Sequence, residues 1–198
     1  WHVSSDLEEE EVRAWWARPM PSDHEFLVRT NVAVAPQDTE SNGQSPLSDV
    51  PILAFASRID RKKALDRALR IAAQVEARFV FQVSGTVKEQ DYWRECLQVA
   101  SDELQADQFE YAGAYLPSQA REIFSTSVVF VFPTLGENFG HVISEALSVG
   151  CPVVVSPDTP WTEVIEAGGG HVLRSDALAA AYLTEILAES PAARIERR

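Results

Sequence analysis

Two short stretches of this 198-residue chain carry side chains that could hold a charged ligand bearing hydroxyl groups. In Ser57-Arg58-Ile59-Asp60-Arg61-Lys62-Lys63, Arg58 and Lys63 stand five positions apart. A guanidinium and an ammonium group at this spacing can converge on an anion, or the run can be a solvated basic patch capped by Asp60. The cations gather at the start of a predicted helix, where the macrodipole is already positive, so an anion bound there would resolve a local conflict. Arg61 and Lys62 are expected to face solvent on either reading. In Pro133-Thr134-Leu135-Gly136-Glu137-Asn138-Phe139-Gly140, two glycines surround a polar pair, which lets the backbone approach a ligand and aim N–H groups at it. Farther on, Glu145 is the only charged residue between Glu137 and Asp158, and it shares a helical face with Val142 and Val149. A carboxylate in that company needs partners. An arginine or backbone amides could supply them, and so could two hydroxyls of a ribose. Glu137, at the loop, is placed for a sugar hydroxyl.

The elements that must position these groups are legible from Val50 onward. Strand-like runs occupy Pro51–Ala56, Arg78–Val83, Gln108–Ala112, Val128–Phe132, Pro152–Ser156 and, weakly, His171–Leu173. Helical patterns lie between them. Lys62–Val75 places Leu65, Ala68, Leu69 and Ala72 on one stripe, and Glu89–Leu104 does so with Trp93, Leu97 and Ala100. Pro117–Thr126 opens with proline, and Gly140–Val149 stops at Gly150 ahead of Pro152. Strands alternating with helices predict a parallel sheet covered on both faces, that is, an α/β, Rossmann-like doubly wound domain of about six strands. In strand order 3-2-1-4-5-6 the first and fourth strands are neighbours, and ligands bind outside their carboxyl ends. Both chemical stretches follow those two strands.

The first 49 residues differ. Ser5-Asp6-Leu7-Glu8 is a capping box for an acidic helix reaching about Ala17, with Glu8–Glu11 as a solvated run. Phe26–Ala35 alternates like a strand, and 36–49 has a linker's composition. The predicted division is residues 1–49 as a remnant with linker and 50–198 as the ligand-binding domain. The net charge of -13 excludes a nucleic-acid backbone as partner without excluding a small anion held by a few local cations. Cys96 and Cys151 are too few for a disulfide framework or metal cluster, and no run is long enough for a membrane span. A reduced, cytoplasmic protein is expected, with membrane contact undetermined. A chain that begins with Trp is expected to be processed or cut from something longer.

These motifs resemble the C-terminal domain of the GT-B glycosyltransferases of family 4, retaining hexosyl and mannosyl transferases. The family's Arg and Lys match Arg58 and Lys63, and its paired glutamates match Glu137 and Glu145 in Gly136-Glu137-Asn138-Phe139-Gly140-His141-Val142-Ile143-Ser144-Glu145. Cys151–Ser156 and Thr159-Pro160-Trp161 are similar to the following strand and loop of one bacterial branch, and the likeness spans roughly Val50 to Leu187. The resemblance implies a nucleotide diphosphate sugar as donor, with Arg58 and Lys63 on its pyrophosphate. Glu137 and the backbone of Gly136, Asn138, Phe139 and Gly140 would position the sugar, near His141, and Glu145 the ribose. Tyr115 and Leu116 would frame the base, with Gly85 at the turn beside it. It implies no metal and no further cofactor, and an anomeric configuration that is kept. The family pattern departs at Ala64, where a glycine commonly follows the lysine, and at Gly85, which stands alone where a glycine-rich turn is expected.

The resemblance also implies a missing companion, an N-terminal acceptor domain that often supplies a catalytic histidine. His2 and His24 stand in no motif, so the chain is expected to bind donor without turning it over. The alternative is a non-catalytic nucleotide-sugar-binding or partner subunit. Sugar-nucleotide epimerases share the fold but lack this Arg–Lys and paired-Glu combination. A nicotinamide dehydrogenase needs G-x-G-x-x-G where Arg58-Ile59-Asp60 stands. A phosphoacceptor domain would be acidic at that strand end.

Overall fold

The computed structural model describes residues 50–157 and 159–197, with the backbone of residues 2–3 and 27–28. His2–Val3 pairs in parallel with Leu27–Val28, inside the run expected to be a strand. The predicted acidic helix and the linker lie outside the described residues.

Runs of Val, Ile, Leu and Phe without alternation make central strands that are buried on both faces, whereas the edge run Phe109–Gly113 is mostly exposed. Six strands form one parallel sheet: β1 (Ile52–Ala56), β2 (Val80–Ser84), β3 (Phe109–Gly113), β4 (Val129–Phe132), β5 (Val153–Val155) and β6 (Gly170–Val172). Their order is β3-β2-β1-β4-β5-β6, the doubly wound order, with each strand within two residues of its expected range. The helices are α1 (Leu65–Ala72), α2 (Gln90–Glu103), α3 (Ala120–Thr126), α4 (His141–Ser148), α5 (Asp176–Ala188) and α6 (Pro191–Glu196). From β1 the chain winds outward to β3, then crosses back to β4 and winds the other way. Right-handed crossovers therefore put α1 and α2 on one face and α3 and α4 on the other. Helices α1 and α2 pack together, as do α3 and α4. Leu53, Phe55 and all four residues of β4 are fully buried at the centre.

Two helical expectations need correction. In α2 the buried residues are Tyr92, Cys96, Val99 and Ala100, while Leu97 is exposed, so the inward face lies one position away from the expected Trp93–Leu97–Ala100 stripe. Packing against α1 sets it: the Tyr92 hydroxyl donates to Asp66 Oδ1 at 2.6 Å and accepts from the Asp66 amide at 3.0 Å. Trp93 instead covers the edge strand, its ring centroid 4.7 Å from that of Tyr111 and 6.4 Å from that of Phe109. The predicted helix Lys62–Val75 is also broken. Arg61–Lys63 is a separate 3-10 turn capped by Asp60, and Ala64 follows in the left-handed conformation (φ 51°, ψ 47°) before α1 begins. Among the described residues Ala64 is the only non-glycine at positive φ. The cations therefore do not crowd the first turn of α1, which carries Asp66.

The ends of β1 and β2 touch through a single glycine. Gly85 has φ +153°, and a Cβ there would lie 1.7 Å from the Ser57 carbonyl oxygen. The one glycine in this thin turn is thus the residue that lets the two strand ends close. Both cysteines are buried, and burial pushes the Cys96 thiol up to about 11.

Candidate functional site

The chain leaves β1 toward β2 and leaves β4 toward β5, so a crevice opens between the loops that follow β1 and β4. Residues 74 positions apart meet there. Lys63 Nζ is paired with Glu137 Oε1, and the two side chains are only 8% and 11% exposed. The ammonium also sits over the Phe132 ring, 5.6 Å from its centroid, so the end of β4 forms a cation-tolerant floor. Thr134, fully buried, braces the pair: its Oγ1 lies 3.0 Å from Glu137 Oε1, 3.1 Å from the Lys62 carbonyl and 3.1 Å from that of Gly136. The Leu135 amide donates to the same Lys62 carbonyl at 2.8 Å. These bonds knit the loops after β1 and β4 into one unit. An ammonium has three N–H donors, so one spent on Glu137 leaves two for an incoming anion.

Arg58 belongs to the same loop, but its side chain is 61% exposed and its nearest carboxylate is Asp60, at 3.8 Å. The structure therefore joins Lys63 to Glu137 and leaves the Arg58 guanidinium reaching into solvent. As expected, Lys62 is exposed, and Arg61 is largely exposed as well. Arg61 nonetheless ties the loop to α2, since it pairs with Glu95, lies 3.9 Å from Glu89 and covers the Tyr92 ring at 5.1 Å.

The loop after β4 turns into α4 at Gly140, which is left-handed (φ 76°, ψ 57°) and caps the helix without a side chain. A Cβ at Gly140 would sit 2.9 Å from the Ile143 side chain. Gly136 is likewise at positive φ, Phe139 is buried, and Asn138 is partly so. His141 is exposed at the helix start, with its ring 4.6 Å from that of Phe139. One turn on, Glu145 is half-buried, and no arginine or backbone amide satisfies its carboxylate among the described residues. Burial raises its pKa above the ordinary carboxylate value, and His141 partly offsets this. Tyr115 arrives from the loop after β3, its hydroxyl pushed up to about 12 by burial and then by the charge of Glu145. Leu116 beside it is 66% exposed. An open cleft of about 410 Å³ runs under α3 from Ile52 to Tyr115; it shares Tyr115 with this site but is lined by none of Arg58, Lys63, Glu137 or Glu145.

Sequence reasoning did not single out Thr134, Ser156 or Trp161 as parts of this site. The Ser156 hydroxyl donates to the Thr134 carbonyl, and the Trp161 indole N–H donates to the Phe139 carbonyl. The signals for them were position, in the stretches that follow β4 and β5, and for Ser156 and Trp161 the family resemblance of Cys151–Ser156 and Thr159-Pro160-Trp161. Among the described residues no three His, Cys, Asp or Glu side chains are grouped as a metal site, and no helix is long and apolar enough to cross a membrane.

Similarity to known proteins agrees with this architecture. Among solved structures, sucrose-phosphate synthase from Thermosynechococcus elongatus superposes with TM-score 0.73 at 21% identity, over 100% of this chain and 51% of its own. The pneumococcal O-GlcNAc transferase GtfA, in complex with UDP and GlcNAc, gives 0.67 at 21% identity, over 94% and 37%. Anabaena HepE, in complex with UDP and glucose, gives 0.64 at 19% identity, over 76% and 45%. The chain thus spans about half or less of each of these proteins, and at such identities the likeness is one of fold. No curated protein is a significant match. The sequence profile described as "Glycosyl transferases group 1" matches residues 36–196. With that match over most of its length and a six-stranded sheet in doubly wound order, the chain belongs to the group 1 glycosyltransferase family.

Proposed function

We propose that residues 50–198 form the donor-binding domain of a retaining hexosyltransferase, with residues 1–49 a remnant of a companion acceptor domain and its linker. The Lys63–Glu137 pair carries this reading, because it places a cation and a sugar-hydroxyl acceptor side by side at the switch point of the sheet. In the proposed complex Lys63 turns its two remaining N–H groups to the donor diphosphate, and Arg58 swings in from solvent to join it. Leaving-group charge is then met by these cations and by the N-terminus of α4, a preorganised field that needs no metal. Glu137 takes a hydroxyl of the transferred sugar, with the backbone from Gly136 to Gly140 alongside. The free carboxylate of Glu145 takes the ribose, and Tyr115 and Leu116 frame the base next to Gly85. The acceptor and the groups that activate it come from the companion domain, so the chain alone binds donor without turnover, and a cytoplasmic setting suits a nucleotide sugar. UDP, present in two of the solved structures just described, is the first ligand to try.

Calorimetric titration with a panel of nucleoside diphosphates and nucleotide sugars, UDP first, tests the proposal. Binding to at least one is expected, with a loss of about tenfold or more in Arg58→Ala, since a hydrogen bond to a charged group contributes about 1.5–3 kcal/mol. A well-folded chain that binds none of them at millimolar concentration refutes it.

A further inference from the structure

The loop from Thr134 to Gly140 is held from two sides. On one side it is tied to Lys62 and Lys63, as described. On the other, the strand–helix connection after β5 grips both of its ends: Ser156 at the Thr134 carbonyl and Trp161 at the Phe139 carbonyl. Trp161 is rigidly mounted. Its amide donates to Oγ1 of the buried Thr159 at 3.3 Å, and its carbonyl accepts from the Ile165 amide at 2.9 Å, opening the turn Thr162–Val164. Its ring also meets the Phe139 ring edge-on, with centroids 5.5 Å apart.

The grip at Phe139 bears directly on the next peptide group. A trans peptide is planar, so the Phe139 carbonyl and the Gly140 N–H point in opposite directions. Gly140 has no Cβ and sits in the left-handed region, where rotation of the preceding peptide plane meets little steric resistance. An indole N–H on the Phe139 carbonyl removes that freedom and aims the Gly140 N–H away from Trp161.

We propose that Trp161 is a positioning residue for the donor sugar: its N–H on the Phe139 carbonyl sets the Phe139–Gly140 peptide plane, and through it the backbone groups that meet the sugar. The inference rests on the reading of this loop as the sugar site. Trp161 bonds the loop at Phe139 and makes no hydrogen bond to Arg58 or Lys63, so it governs the increment that a sugar adds to nucleotide affinity.

The test uses the whole chain with Trp161→Phe, which keeps an aromatic ring but has no N–H, and Trp161→His, which restores a ring N–H. In the ligand-free chain the Gly140 amide has no acceptor among the described residues, so its freedom is read by ¹⁵N relaxation: its order parameter should fall in Trp161→Phe as the peptide plane is released. Amides of β4 should not change, and Trp161→His should recover part of the order. UDP should bind Trp161→Phe within about twofold of the wild-type chain, while UDP-glucose loses about three- to tenfold. An unaltered order parameter at Gly140 overturns the proposal, as does an equal loss of UDP and UDP-glucose, the pattern of a merely structural residue. Should the wild-type chain bind neither nucleotide, the donor reading fails by itself, and the relaxation comparison still decides whether Trp161 fixes the peptide.

Discussion

Removing one member of the Lys63–Glu137 pair should cost far more than removing both. The two side chains are 8% and 11% exposed, so each has lost most of its hydration and depends on the other. In Lys63→Met the Glu137 carboxylate keeps only the Thr134 hydroxyl, at 3.0 Å, as a described partner. Stranding one charge of a buried pair costs about 3–5 kcal/mol, and the residual exposure here places the loss at about 3. For a domain of this size about 1 kcal/mol moves Tm by 2–4 °C, so Lys63→Met should melt about 6–12 °C lower. Glu137→Gln leaves Lys63 a neutral amide oxygen and the Phe132 ring, a milder loss of about 1–3 kcal/mol. The double variant Lys63→Met, Glu137→Gln buries no charge, and Thr134 can still bond the amide. It should lie within about 1 kcal/mol of wild type, which makes the coupling of the two sites about 3–6 kcal/mol. Urea unfolding of all four proteins, analysed as a cycle with slopes checked for constancy, supplies the numbers. If the single effects simply add, the pair is not the buried, interdependent unit described here.

Two further outcomes are expected in the same region. Ala64→Gly should stabilise the chain by about 0.5–1 kcal/mol in urea unfolding, because the left-handed conformation costs an L-residue about 1–2 kcal/mol and glycine's unfolded-state entropy returns part of it; an unchanged midpoint would contradict the assigned backbone. Glu145 is an acid whose folded pKa is raised by burial, so its ionised form is the one the folded state disfavours. Its effect on stability is absent below the unfolded carboxylate range and grows unfavourable as pH rises through the raised value. Glu145→Gln should therefore melt no lower than wild type at neutral pH, while losing both nucleotide affinity and the weakening of that affinity on acidification. A fall in Tm at neutral pH with nucleotide affinity unchanged would instead identify Glu145 as a structural acid.

Much of the fold is legible in the sequence. Apolar runs too long to alternate, separated by amphipathic stripes, specify parallel strands with crossover helices, and handedness then leaves few arrangements. Features that depend on contact with another element are not legible. The inward face of α2 turns on Tyr92 reaching Asp66 of α1, a partner no pattern within α2 announces. The break at Ala64 interrupts a good helical stripe, because Asp60 caps a short turn and the loop after β4 holds the Lys62 carbonyl from outside.

The sequence by itself determined which residue types follow β1 and β4; that both stretches reach the same edge of the sheet followed only for a doubly wound strand order, which the packed sheet adopts. Tertiary structure alone decided which of them touch: Lys63 with Glu137, Glu137 with Thr134, Trp161 with the Phe139 carbonyl, and Arg58 with solvent. The reason is physical. Periodicity and spacing record the environment a residue needs, apolar or polar, helix or strand. A hydrogen bond between side chains 74 residues apart depends on distances of a few ångströms, set only when the packed layers close.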